Sequence, residues 1–92
     1  MKVTSLLNER IVISENAFVE MVVWGIPKSL KGSDHFYKYR LVLVVNQECV
    51  LRYDNEPGKG DHKHLGSTEV EYQFSTIEVM LEDFWNDVEA LT

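Results

Sequence analysis

The chain is 92 residues long, is 45% apolar and carries a formal net charge of −6. That length permits one small core, and that apolar share excludes an intrinsically disordered chain. The acidity excludes a broad basic footprint for nucleic acid and leaves room only for a local basic site.

The charge is unevenly placed. From Glu69 onward there are seven acids and neither Lys nor Arg; residues 1–68 hold nine cationic side chains against eight acids, a balance of +1. An acidic C-terminal segment reads first as a solvated face and second as a surface for a basic partner. The longest apolar run, Leu41–Val45, is far too short to span a membrane. Residues 1–10 show no signal-peptide pattern, so a cytoplasmic location is expected. Cys49 is the single cysteine, which excludes an intramolecular disulfide framework.

Arg10–Ile13 is a short β-branched run, and Ser14-Glu15-Asn16 reads as a turn. Ala17–Trp24 follows as a strand, with Ala17, Val19, Met21 and Val23 on one apolar face and Phe18, Glu20, Val22 and Trp24 on a mixed one. Gly25–Asp34 is a basic connection carrying Pro27, Lys28 and Lys31. His35–Val45 is the next strand, with Tyr37, Tyr39, Leu41, Leu43 and Val45 on one face and Phe36, Lys38, Arg40, Val42 and Val44 on the other. Asn46-Gln47-Glu48 is a tight turn into the strand Cys49–Asp54, which puts Cys49, Leu51 and Tyr53 on one face and Arg52 and Asp54 on the other. Asn55–Ser67 has no apolar period and reads as a long polar loop. Val70–Phe74 alternates as a short last strand.

Ser75–Leu91 is the one clear helix, with Ser75 and Glu78 spaced as a capping box. Ile77, Leu81, Phe84, Val88 and Leu91 form its apolar stripe, which Trp85 widens, while Glu82, Asp83, Asn86 and Asp87 face water. Asp87 and Glu89 sit against the negative end of the helix dipole, a cost that a basic partner would relieve. The expected fold is α+β: one domain over residues 1–92, an antiparallel sheet of four to five strands with a C-terminal helix packed on one face.

Candidate chemistry gathers between Leu51 and Gly66. His62 and His64 are two apart, so an extended backbone points both imidazoles the same way. Such a pair suits acid–base cleavage of a phosphodiester, one ring as general base and the other as general acid. Arg52, Lys59 and Lys63 are candidate cations for the phosphate, Gly58 and Gly60 candidate amide donors, and Asp54 a candidate to orient one imidazole. The alternative chemistry is a divalent metal on His62, His64 and Asp61, with Asp54 or His35 as further ligands.

Each motif also has a plain structural reading. An H-x-H tripeptide occurs in many exposed loops, and Gly58-x-Gly60 serves a turn with positive φ more often than a phosphate cradle. Arg52 and Asp54 can be a surface ion pair of small worth, and His35 a structural residue. Tyr37, Tyr39, Tyr53, Trp24 and Phe36 could stack on RNA bases, but their spacing is that of core positions. Cys49 reads as a buried strand residue and not as a nucleophile.

The run R-Y-D-N-x-x-G-K-G-D-H-K-H-x-G resembles the TumE family, small bacterial and archaeal toxins of toxin–antitoxin modules. The segment from Tyr53 to His64 is the specific part; K-G-S at Lys31 and the strand F-Y-K-Y-R-L agree with it. The resemblance implies a toxin and, as partner, a cognate antitoxin of helix-turn-helix type; it brings no catalytic residues with it. Joined to the residue reading, it makes a metal-independent endoribonuclease, with RNA as substrate and no cofactor, the leading expectation. The competing expectations are a non-enzymatic protein-binding module and a nucleotide-dependent transferase acting on RNA. A homodimer is a candidate assembly, and no membrane contact is expected.

Overall fold

The computed structural model describes residues 3–92. Six strands follow one another in chain order as an antiparallel meander: β1 (Thr4–Ser14), β2 (Ala17–Gly25), β3 (Tyr37–Val45), β4 (Glu48–Glu56), β5 (Gly60–Leu65) and β6 (Thr68–Glu71). The helix α1 (Ile77–Leu91) comes last and packs on one face. The α+β class is as expected; the sheet has six strands where four to five were anticipated.

The apolar alternation builds the core directly. Val19, Met21 and Val23 of β2, Tyr39, Leu41 and Leu43 of β3, and Leu51 and Tyr53 of β4 share the helix-facing side, where Met80, Phe84 and Val88 cover them. The buried stripe of α1 is therefore Met80–Phe84–Val88, with Ile77, Leu81 and Trp85 flanking it and Leu91 exposed. Its N-cap is Thr76 and not Ser75: the Thr76 hydroxyl accepts from the Val79 amide at 3.1 Å. Glu78 consequently falls outside a capping box.

The largest departure from expectation is the polar stretch. Residues 55–67 are not a loop; they complete β4 and form β5. Glu56-Pro57-Gly58-Lys59 closes the hairpin, with the Lys59 amide donating to the Glu56 carbonyl at 3.1 Å. Pro57 at the second position and Gly58 with φ +85° at the third match a type II turn. A second hairpin turns at Gly66, which has φ +59°, and brings β6 beside β5. The last strand thus starts at Thr68 and stops at Glu71, earlier than Val70–Phe74.

Cys49 is exposed, contrary to its expected burial. Leu43 pairs with Leu51 but Val44 pairs with Cys49, so a bulge at Val50 breaks the alternation between Cys49 and the core.

Candidate functional site

The β4–β5 register decides the geometry. Arg52 lies directly across from His64, and Asp54 from His62. Directly opposed residues share a face, so all four side chains stand on the face of the sheet away from α1. β3 adds Arg40 across from Asp54; β6 adds Glu69 across from His64 and Glu71 across from His62. The result is a polar cluster over four adjacent strands.

Within it, Arg52 Nη2 is 3.2 Å from His64 Nε2. A guanidinium only donates, so His64 Nε2 accepts and its ring proton is on Nδ1 in this arrangement. Arg52 Nε lies 3.2 Å from Asp54 Oδ2, an ion pair not aligned as a hydrogen bond. Asp54 Oδ1 is 3.7 Å from His64 Nε2. The imidazole centroids of His62 and His64 are 6.4 Å apart. Asp54 and His62 are buried while Arg52 is the most open member of the four, so the guanidinium forms the lid of the cluster. The Arg52–Asp54 pair is thus half sunk into the face and not a surface pair.

Lys63 alternates to the other side. Its ammonium is 2.7 Å from Asp87 and sits over the Tyr53 ring at 5.6 Å. It ties β5 to the last turns of α1 and supplies, from within the chain, the cation that Asp87 requires near the helix C-terminus. Asp87 does not simply face water: it also accepts from the Tyr53 hydroxyl at 2.5 Å, and Asp83 accepts from Tyr72 at 2.6 Å. As a phosphate ligand beside the histidines, Lys63 is ruled out by its face.

Asp61 is on that other side too. It accepts from the Ser33 hydroxyl at 3.0 Å, and both its oxygens lie 3.0 Å from His35 Nε2. His35 Nδ1 accepts from the Tyr37 amide at 3.2 Å, which leaves the proton on Nε2 for Asp61. The ring packs on Phe74, centroids 3.9 Å apart. His35 is therefore a structural histidine. The set His62, His64 and Asp61 does not converge, and among the described residues no group of three metal-ligating side chains is arranged to hold an ion.

The glycines of the turn serve the backbone. The Gly58 amide donates to the Lys31 carbonyl at 2.7 Å, and that of Lys59 to Glu56. Neither is free for an anion, so two of the three amides of the expected Gly58-Lys59-Gly60 cradle are already spent on the chain itself. Gly60, with φ +78°, lies against Gly32: a Cβ there would stand 2.7 Å from the Gly32 carbonyl oxygen. The two glycine-bearing segments singled out in the sequence, Lys31-Gly32-Ser33 and Gly58-Lys59-Gly60, are thus one packed corner. Beside it a cleft of about 450 Å³ is lined by His35, Lys59, Asp61, Glu71 and Phe74 among others.

Of the aromatic residues weighed as an RNA-stacking face, Tyr39 and Tyr53 are buried, Trp24 and Tyr37 half-buried, and only Phe36 is exposed. Glu69 and Arg40 were not singled out from the sequence. Arg40 was readable, since it shares the β3 face opposite the core positions. Glu69 was hidden inside the acidic segment, although Gly66-Ser67 is the turn signal that would have set it beside His64.

The family model described as Toxin TumE matches residues 2–92, essentially the whole chain. The chain belongs to the TumE toxin family. Membership implies the toxin component of a toxin–antitoxin module and, with it, an antitoxin as partner. No curated protein and no solved structure matches the chain significantly. No helix among the described residues is long and apolar enough to cross a membrane. In this TumE-family chain the specific sequence segment is divided between two tasks. Asn55, Gly58, Gly60 and Asp61 hold the hairpin, and Arg52, Asp54, His62 and His64 stand together on the helix-free face.

Proposed function

We propose that this TumE-family toxin is a metal-independent endoribonuclease whose two histidines act as base and acid on the open face of the sheet. The observation that carries the reading is the meeting of His62, His64, Arg52 and Asp54 through the β4–β5 register. One imidazole takes the proton of a ribose 2′-hydroxyl, and that oxygen bonds to the adjacent phosphorus. The bond to the 5′-oxygen breaks, and the other imidazole protonates the leaving oxygen. The products are a 2′,3′-cyclic phosphate and a 5′-hydroxyl, with no net change in protons.

Arg52 is the cation for the developing phosphorane charge, and Arg40, exposed across from Asp54, is a second one. At rest Arg52 occupies the lone pair of His64 Nε2. An arriving phosphate offers the guanidinium a charged, bidentate acceptor and draws it off the ring. Asp54, held under Arg52, keeps the guanidinium in reach of the imidazoles. The partner this reading expects is a small helix-turn-helix antitoxin encoded beside the toxin, and the RNA substrate places the activity in the cytoplasm.

The test is incubation of the purified chain with cellular RNA, with and without EDTA, beside the His62→Ala/His64→Ala double variant. The expected result is cleavage indifferent to EDTA, bearing cyclic-phosphate ends, and reduced in the variant by on the order of a hundredfold or more. Cleavage by both proteins alike, or by neither, overturns the assignment; activity abolished by EDTA points to metal chemistry instead.

A further inference from the structure

We propose that Glu69, on β6, is the positioning residue of the two-histidine site, an inference that rests on the ribonuclease reading for its kinetic consequence but not for its geometry. The carboxylate spans both rings. Its Oε1 is 3.5 Å from His62 Nε2 and its Oε2 is 3.6 Å from His64 Nδ1. The antiparallel β5–β6 pairing places Glu69 opposite His64, so this contact is built by register and not by a flexible loop.

Arg52 supplies the other half of the argument. By donating to His64 Nε2 at 3.2 Å it favours a His64 proton on Nδ1, the nitrogen that faces Glu69, and Glu69 supplies the rest of that preference. Free neutral histidine prefers its proton on Nε2. The Glu69 carboxylate, 3.6 Å from Nδ1, puts negative charge beside the Nδ1 proton and so stabilises the less common tautomer, the one in which Nε2 has its lone pair available once Arg52 moves to a phosphate. When Nε2 then takes the 2′-hydroxyl proton, the carboxylate at Nδ1–H stabilises the imidazolium, as an acid does behind a catalytic histidine. The Nδ1 proton stays on the ring throughout.

The charged groups around the pair divide their roles. His64 faces Arg52 on β4 and Glu69 on β6, and the proposal gives it the role of proton acceptor because its Nε2 already carries the lone pair. His62 lies between Asp54 on β4 and Glu71 on β6, with Glu69 at its Nε2 and Arg40 one strand beyond Asp54, and takes the remaining role of proton donor.

Nitrogen-15 NMR of the histidine-labelled full chain near neutral pH tests this directly. His64 is expected as the Nδ1–H tautomer. His35, whose Nδ1 accepts from the Tyr37 amide, is the internal standard for Nε2–H. Glu69→Ala should move His64 toward Nε2–H and leave His35 unchanged, whereas Glu69→Gln, which keeps an acceptor oxygen, should retain Nδ1–H. A wild-type His64 protonated on Nε2, or a tautomer indifferent to Glu69→Ala, overturns the proposal. On RNA, Glu69→Ala should lower kcat at least about tenfold with KM little changed, and Glu69→Gln should recover part of the loss. If the wild-type chain cleaves no RNA, the ribonuclease reading fails while the NMR result still decides whether Glu69 sets the tautomer.

Discussion

Asn55 is the fully buried polar residue beside an apolar core, and its side chain is spent on backbone. Its Oδ1 accepts from the Tyr39 amide at 3.0 Å and its Nδ2 donates to the Tyr37 carbonyl at 2.8 Å. Those two groups belong to the start of β3, so Asn55 joins β3 to β4 where the regular pairing, which ends at Arg40–Asp54, has run out. Asn55→Ala removes both bonds and leaves a donor and an acceptor buried without partners. The expected cost is about 2–4 kcal/mol, read from the urea midpoint. A loss of a few tenths would show that water replaces the amide. The asparagine of the R-Y-D-N run is therefore a structural residue, while Arg52 and Asp54, three places and one place earlier, belong to the site face.

At the scale of elements, the β4–β5 hairpin converts a polar sequence into an ordered strand. Two glycines in its turn have positive φ, and they carry different burdens. Gly58 has nothing within 4 Å of where a Cβ would stand; Gly60 has the Gly32 carbonyl oxygen at 2.7 Å and lies buried in the corner. Gly58→Ala should cost about 1–2 kcal/mol, the penalty of a left-handed backbone alone. Gly60→Ala should cost about 3 kcal/mol or more, because backbone must also part from backbone. Thermal denaturation of the two variants measures the gap, and equal losses would mean that the corner yields freely. The same hairpin explains what was legible beforehand. β2, β3, β4 and α1 could be read because their apolar residues repeat with the period of the element. β5 has the same period, but Asp61 and Lys63 point to the helix side and His62 and His64 away from it, so no apolar face marks it. Its inward polar residues are tolerated because His35, Ser33 and Asp87 bond them, and those partners are 26, 28 and 24 positions away in the sequence, which no local pattern reveals. The period of two was enough to pair Arg52 with Asp54 and His62 with His64. Only the turn, which sets the register, could join the two pairs.

Across the whole molecule, tyrosine hydroxyls link the sheet to acids on the helix side. Tyr53 donates to Asp87 and Tyr72 to Asp83, both on α1, while the buried Tyr39 hydroxyl lies beside the Asp61 carboxylate without bonding it. Burial first, and the neighbouring carboxylates second, push all three phenols well above the ordinary tyrosine value of 10.0. A tyrosinate formed here would be desolvated and would face an anion. Raised folded values have a definite sign. Below the unfolded value the contribution to stability is complete; as pH climbs past it, the unfolded chain sheds protons that the folded chain retains, so unfolding gains. Stability should therefore fall steadily above about pH 10, with the tyrosinate absorbance of these three residues rising in step with loss of structure and not before it. Any alkaline loss of the lysine ion pairs in general adds to the same fall. The Tyr53→Phe/Tyr72→Phe variant separates the two. It should be less stable than the parent near pH 8, because Asp83 and Asp87 lose their phenol donors, yet show a shallower decline in urea midpoint between pH 9 and pH 11, because two of the linked protons are gone. Parallel declines in the two proteins would assign the alkaline loss to lysine and remove the tyrosine–aspartate pairs from the account of how α1 is held.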